Sequence, residues 1–305
     1  MKLSVFVVTY NQEKYIRQCL DSILMQKVDF DYEVVIGEDH GTDGTRAICE
    51  EYAAKYPQIR LLPLTENLGV AGNWRRVLLE CKGEYIAMCE GDDYWTDSLK
   101  LQKQVLFMDS DKEEKYVMCF HEAMLVDKKS DIIKEHKMGK EFWRDFSSDE
   151  LRKGLHPSTQ TVLFRQKMIP EIIPLISTYK WNCNDTLIFS LLGKYGDAGF
   201  ISSIKQSAWR IHGNSVWSSS DKVFQYQNSF HTFTLMKENH PDLHKYFDGP
   251  IKTKCARIVE YSAKDRKYMI LIKYYLKLLF LCIKDFDIVT MVNIKKCIVY
   301  NIIHK

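Results

Sequence analysis

The strongest constraint on the fold is a run near the amino terminus, Leu3–Thr9, that is apolar almost throughout. A strand covered on one face alternates apolar with polar residues, whereas one covered on both faces is apolar continuously. Directly after it, Tyr15, Ile16, Cys19, Leu20, Ile23 and Leu24 recur at helical spacing. The strand–helix pair then repeats. Glu33–Gly37 precedes a helical pattern over Thr45–Lys55, Ile59–Leu64 one over Ala71–Cys81, and Glu84–Cys89 one over Ser98–Met108. Such alternation predicts an α/β fold with a mostly parallel sheet, and ligands outside the carboxyl ends of its strands.

After residue 110 the pattern loosens. Tyr116–Val126 reads as a strand or hairpin arm, Lys128–Glu141 as a charged surface excursion, Gln160–Phe164 and Gly199–Ile204 as short strands, and Asp185–Lys194 as a helix. From about Lys222 onward only helical patterns remain. The expected organisation is a domain over 1–220, with halves 1–110 and 111–220, and a helical extension over 221–305. The net charge of +3 singles out no partner, and no nucleic acid is expected. The nine cysteines form no CxxC pair and no zinc-spaced cluster, which suits reduced thiols in a cytoplasm. The apolar run over residues 3–8 is too short for a signal-peptide core, so a cytoplasmic protein is expected.

The strand ends carry the chemistry. After the first strand stands Thr9-Tyr10-Asn11-Gln12, where a dinucleotide-binding domain would have GxGxxG, and no Walker loop occurs. Tyr10 offers a stacking surface for a planar base, and Thr9 and Asn11 hydrogen bonds to its edge. Equally, Thr9 can simply end the strand and Asn11 cap the helix. The second strand ends in Gly37-Glu38-Asp39-His40-Gly41-Thr42-Asp43. Glu38 and Asp39 can accept a pyrimidine N–H or hold a ribose hydroxyl, or lie in a solvated turn, while Asp43 suits a helix cap. At the fourth strand end, Glu90-Gly91-Asp92-Asp93 crowds three carboxylates. Their repulsion calls for a cation, and a hard divalent ion shared with substrate phosphates accounts for it economically. The alternative is an acidic turn that caps the next helix.

At these residues the chain resembles the family 2 glycosyltransferases of GT-A fold, an inverting group that builds bacterial polysaccharides. "SVFVVTYNQEKYIRQCLDSILMQ" is similar to the family's opening strand and helix, "IGEDHGTDGT" to its Asp-Asp-Gly-Ser-Thr-Asp segment, "ENLGVAGNW" to the segment before the metal strand, and "CEGDDYW" to the Asp-x-Asp motif with Glu90 in the first place. The resemblance is strong over about 1–110 and looser over 150–217. It implies nucleotide binding by Thr9, Tyr10, Asn11, Glu38, Asp39 and Asp92, and Mn²⁺ or Mg²⁺ held chiefly by Asp92 with Glu90, Asp93 and His212. "WNCNDTLIFSLLGKYG" supplies Asp185 as the base that deprotonates an acceptor hydroxyl, though Asp185 also suits a helix N-cap. "AWRIHGNSVWSS" resembles the family's Tyr-Arg-x-His segment, which implies that Arg210 and His212 meet the diphosphate. "HPSTQTVLFRQ" occupies the acceptor-side strand, with Ser158, Thr159 and Gln160 as weaker acceptor contacts.

The implied function is metal-dependent transfer of a sugar, of the hexosyltransferase class, from a nucleoside-diphosphate donor to an acceptor hydroxyl with inversion. A UDP-sugar is the expected donor, and a saccharide or lipid-linked molecule of bacterial polysaccharide or glycolipid synthesis the expected acceptor. A sugar nucleotidyltransferase would need a glycine-rich basic loop after the first strand, which is missing. A catalytically silent sugar-nucleotide binder would have no use for Asp185. Residues 251–305 carry 12 basic against 4 acidic residues, while the first 250 carry 31 against 36. With Arg266, Lys273, Lys277 and Lys284 expected on one helix stripe beside a wide apolar face, this tail predicts peripheral contact with the inner face of a cytoplasmic membrane, packing on the catalytic domain, or a homodimer.

Overall fold

The computed structural model describes residues 1–284 apart from 65, 178–183 and 214–219, and beyond 284 only residues 290, 292 and 298. The chain packs as two units, Met1–His212 and Gly213–Lys305.

In the first unit, β1 (Leu3–Thr9), α1 (Ile16–Leu24), β2 (Tyr32–Glu38), α2 (Thr45–Lys55), β3 (Ile59–Leu61), α3 (Gly69–Glu80), β4 (Tyr85–Glu90) and α4 (Lys100–Ser110) follow in the expected alternation. Every residue of β1 is buried, because both faces of the strand are covered. Leu3, Val5 and Val7 share a core with Ile16, Cys19, Leu20 and Ile23 of α1. On the other face Phe6 meets Trp74 of α3 edge-on, with ring centroids 5.1 Å apart. The strand expected over Ile59–Leu64 ends at Leu61, and Pro63 just beyond has no N–H to donate to a ladder.

The second half of this unit is less regular. It comprises β5 (Tyr116–Phe120), β6 (Ala123–Val126), β7 (Ile132–Lys134), α5 (Ser148–Arg152), β8 (Leu163–Arg165), α6 (Ile169–Ser177), α7 (Asn184–Leu192), β9 (Asp197–Phe200) and β10 (Ser207–Arg210). The main sheet runs β3-β2-β1-β4-β8-β5-β9, and a small sheet runs β10-β6-β7. β1, β2, β3 and β4 are mutually parallel, while β8 is antiparallel to both of its neighbours, β4 and β5. The order 3-2-1-4 places β1 where the winding reverses, which is where open α/β sheets bind ligands. Three expectations shift here. Of the strand expected over Gln160–Phe164, the first residues belong to a 3₁₀ turn over Thr159–Thr161 and β8 begins only at Leu163; the strand expected over Gly199–Ile204 is β9, ending at Phe200; and the charged excursion contains β7.

The second unit is helical: α8 (Lys222–Asn239), α9 (His244–Lys264) and α10 (Tyr268–Lys284). Asp221 caps α8 by accepting from the Phe224 N–H at 2.9 Å. Phe247, Ile251, Cys255, Ile258 and Val259 of α9 are buried, as are Leu271, Tyr274, Leu278 and Cys282 of α10. Arg266 stands at φ 56° between α9 and α10, so it leaves the stripe expected to join it to Lys273 and Lys277. Among the described residues no helix is long and apolar enough to cross a membrane.

Candidate active site

Sheet register brings three strand ends together: Thr9 pairs with Glu38, and Val8 with Glu90. The loops that follow are fastened to one another. Asn11 takes φ 52°, in the left-handed region that asparagine tolerates, and its Oδ1 accepts from the Thr42 N–H at 2.7 Å. The Gln12 N–H donates to Thr45 Oγ1 at 2.8 Å, and the Glu13 N–H to Asp43 Oδ2 at 3.1 Å. Asn11 therefore ties loop to loop rather than capping α1, and Asp43 Oδ1 accepts from the Thr45 N–H at the start of α2. Thr9 is 3% exposed, and its hydroxyl donates to Gln12 Oε1 at 2.8 Å. Gly91 must lack a side chain: a Cβ there would stand 2.6 Å from Thr9 Oγ1 and 2.4 Å from Gln12 Oε1.

Glu38 and Asp39 are buried, not solvated. Glu38 Oε1 accepts from the Gly41 N–H at 2.6 Å, whereas its Oε2 is buried with no protein partner. Asp39 Oδ1 accepts from the Leu68 N–H at 2.8 Å, and burial raises its carboxyl above the usual range against that bond and the Arg76 charge. Tyr10 by contrast lies open to solvent. The neighbouring ends of β1 and β2 thus carry an exposed ring and an unsatisfied carboxylate oxygen.

The β4 end is organised differently. Asp92 Oδ2 lies 2.9 Å from His212 Nε2. Asp93 turns inward, its Oδ1 accepting from the Arg210 N–H at 2.9 Å and its buried Oδ2 without a protein partner. Burial raises the Asp93 carboxyl well above its usual range, with Asp92 and Glu90 adding to the shift. Burial likewise pushes Glu90 up to about 8, with Asp92 and Asp185 adding and Lys137 opposing. Cysteines line the floor beneath: the Cys19 and Cys89 sulfurs lie 3.7 Å apart.

Arg210, expected on phosphate, is committed elsewhere. It is 2% exposed, and its guanidinium donates to the Asp92 carbonyl (2.9 Å), the Asp127 carbonyl (3.1 Å), Ser130 Oγ (3.1 Å) and Gln18 Oε1 (2.6 Å). It also stacks over the Tyr15 ring, 4.7 Å from the centroid. The fork meant for a ligand instead clamps the Asp92 turn to α1 and to the turn before β7.

Asp185 lies in the first turn of α7, one residue inside it, so it is not the N-cap. Its Oδ1 accepts from the Thr186 N–H at 2.7 Å. Thr186 Oγ1 lies 3.0 Å from His156 Nε2, while His156 Nδ1 lies 2.9 Å from the Pro157 carbonyl. Of the expected acceptor residues, Ser158, Thr159 and Gln160 are all buried. Ser158 Oγ accepts from Lys137 Nζ at 2.8 Å, and Gln160 Nε2 has no protein partner.

Lys137 is the residue that sequence reasoning missed. Its ammonium sits 3.9 Å from the centre of the Trp209 ring and is drawn electrostatically to Asp185, Asp93, Glu90 and Glu122, although burial leaves its pKa below the ordinary lysine value. No local signal separates it from the other lysines of residues 128–141.

For a divalent metal, Asp92 and His212 are an oxygen and a nitrogen donor in mutual reach, and the crowded, partly unpartnered carboxylates beside them favour a cation. Among the described residues no three His, Cys, Asp or Glu side chains form a complete metal cluster. The donor set fits an ion that draws its remaining ligands from water and phosphate.

The family model described as "Glycosyl transferase family 2" matches residues 4–168, more than half of the chain. An uncharacterised protein of Mycobacterium tuberculosis (strain H37Rv) is 35% identical over 223 residues, 72% of this chain and 61% of its own length. The chain thus spans less than two thirds of that relative. The poly(ribitol-phosphate) beta-N-acetylglucosaminyltransferase TarS of Staphylococcus aureus is 41% identical over 98 residues, 31% of this chain and 17% of its own length. Among solved structures, S. aureus TarS 1–349 in complex with UDP-GlcNAc superposes with a TM-score of 0.65 at 18% identity, covering 92% of this chain and 81% of that one. A mannosyltransferase from Pyrobaculum calidifontis in complex with GDP-Man and Mn²⁺ gives 0.56 at 16% identity, covering 100% and 88%. At these identities the superpositions speak for the fold.

Proposed function

The chain belongs to glycosyl transferase family 2, and from that premise we infer that it moves a sugar from a UDP-linked donor to an acceptor hydroxyl, with inversion, in polysaccharide or glycolipid synthesis. The observation that carries the reading is the adjacency of the β1, β2 and β4 strand ends. The exposed Tyr10 follows β1, Glu38 with its unpartnered Oε2 ends β2, and Glu90 at the end of β4 feels the charges of Asp92 and Asp185. Uracil has a flat face for Tyr10 and a ring N–H for Glu38. TarS, similar in fold, is described with UDP-GlcNAc and with UDP, and the Pyrobaculum enzyme with GDP-Man.

In this mechanism Tyr10 stacks on the base, Glu38 Oε2 accepts its N–H, and Asp39 holds the ribose. Asp92 and His212 would hold Mn²⁺ or Mg²⁺, with Glu90 beside them, and the bound ion supplies positive charge against the negative charge that develops on the leaving diphosphate. Arg210 keeps the Asp92 turn in place through the Asp92 carbonyl. Asp185 removes the acceptor proton. The acceptor oxygen forms its bond to the anomeric carbon as the carbon–oxygen bond to the diphosphate breaks on the opposite side, and the proton stays on the Asp185 carboxylate. With Oδ1 engaged by Thr186, Oδ2 is the oxygen assigned to that proton. Lys137 offsets the cluster's charge and, through Ser158, borders the acceptor side. The enzyme is read as working in the cytoplasm, peripherally on the inner membrane face where a lipid-linked acceptor would be presented.

Asp185→Asn tests the reading, since it keeps the shape but cannot take the proton. Transfer should fall by about 10²–10⁴-fold while UDP-sugar affinity is retained. An unchanged rate would remove Asp185 from catalysis, and a wild-type chain that binds donor but never transfers or hydrolyses it would be a silent binder.

A further inference from the structure

Helix α10 has two apolar faces. Leu271, Tyr274, Leu278 and Cys282 are buried, which uses up the face a helix on a protein core normally has. On the opposite side Met269 (83% exposed), Ile272 (56%), Leu276 (61%), Phe280 (70%) and Ile283 (63%) form a second ridge. Their intervals of three and four residues keep them within an arc of about 80° on a helix of 3.6 residues per turn. Lys273 and Lys277, both exposed, run along one flank of this ridge, and the exposed Tyr268 lies on the other. Over its 17 residues α10 has three lysines and no acidic residue.

A contiguous exposed ridge of this size marks a docking surface, and its charge selects the occupant. A second copy would bring another cationic ridge against it, with Lys273 and Lys277 of each copy brought together and no acidic residue of α10 to offset them. An anionic lipid surface is complementary instead. The apolar ridge enters the acyl boundary, the lysine ammoniums reach the headgroups, and tyrosine suits the interface between them. We propose that α10 lies in the plane of an anionic bilayer with Met269, Ile272, Leu276, Phe280 and Ile283 inserted, and that this face docks the enzyme on the membrane. The inference rests on the reading of a transferase that works peripherally at a membrane, and it names the surface and the lipid chemistry.

The test is flotation of the full chain with vesicles of phosphatidylcholine alone and of phosphatidylcholine with phosphatidylglycerol. Wild type should float with the anionic vesicles and much less with the neutral ones. Leu276→Glu combined with Phe280→Glu, both at exposed positions, should abolish flotation, and Lys273→Glu and Lys277→Glu should each weaken it at least about fivefold. Folded wild-type protein that floats with neither vesicle overturns the proposal. So does flotation untouched by the double change, or a wild-type dimer that the double change splits without any vesicle binding. Donor hydrolysis, measured on the same proteins in solution, keeps the two readings apart. Active protein that ignores vesicles defeats the docking surface alone, and vesicle-bound protein that never turns over donor defeats the transferase alone.

Discussion

Two acidic strand ends flank β1, and they resolve the same electrostatic problem in opposite ways. At the β2 end, backbone N–H groups of Gly41 and Leu68 satisfy one oxygen each of Glu38 and Asp39. At the β4 end the partners come from far along the chain: the His212 side chain for Asp92, the Arg210 N–H for Asp93, and Lys137 for the cluster as a whole. The donors of the first end are backbone N–H groups that stand 3 and 29 residues from the carboxylates they meet. At the second, burial raises the Glu90 and Asp93 carboxyls above their ordinary range, and the proposed cation would offset the charge they carry once ionised.

Breaking the second end should cost most. Asp92→Ala removes the carboxylate paired with His212, and transfer with Mn²⁺ present should drop by about 10³-fold or more, several kcal/mol of lost charge stabilisation. Full activity in that variant would mean that β4 does not carry the metal. Lys137→Met, which strips the cluster of its ammonium and Ser158 of its donor, should lower kcat/KM roughly thirtyfold, about 2 kcal/mol for a charge-assisted bond. If Lys137→Arg recovers most of that loss, the charge rather than the packing is responsible. At the first end, Glu38→Gln should weaken UDP binding by about tenfold, in line with one hydrogen bond to a charged acceptor, while kcat changes little. Isothermal titration with UDP would show the comparison to be false if affinity were unaffected.

The smallest effect sharpens the contrast through pH. Glu90 titrates near 8 in the fold against an ordinary value of 4.5, so between those values the folded state holds more proton than the unfolded chain. Stability without metal should therefore fall as pH rises from about 5 to 8 and level off above, a shift of a few degrees in Tm. Glu90→Gln should flatten this slope. Mn²⁺ should raise Tm more at pH 8 than at pH 6, because protons compete for the same carboxylates. Scanning calorimetry across that range, with and without Mn²⁺, would count against a cation-seeking cluster if the two profiles ran parallel.

The same divide separates what could be read in the sequence from what could not. β1, β2 and β4 and their helices were legible because each is encoded by a period within a dozen residues, and Thr9, Glu38 and Asp92 fall where those periods end. β8 is three residues long and gains its identity only by lying between β4 and β5. β10 mixes polar and apolar residues and pairs with β6 and with Tyr94, both distant in sequence. Arg210 stood out as a cation beside a histidine, but its four acceptors come from Gln18, Asp92, Asp127 and Ser130, which no local pattern links. Lys137 was hidden because a charged loop and a half-buried ammonium look alike until Trp209 and Ser158 close around it.

The placement of β8 beside β4 also sets a timetable for biosynthesis. β2 can pair with β1 and β3 with β2 as each emerges from the ribosome, whereas β4 pairs back across the sheet with β1, Leu3 with Tyr85. One side of β4, however, stays an open edge of Tyr85-Ile86-Ala87-Met88-Cys89 until Leu163–Arg165 arrives to pair with it. Some 70 residues of synthesis intervene, roughly 4–14 s at ordinary elongation rates. Throughout that interval the strand on which the carboxylate cluster is built is an open template for pairing with another chain, so slowing translation between residues 90 and 163 should raise the aggregated fraction.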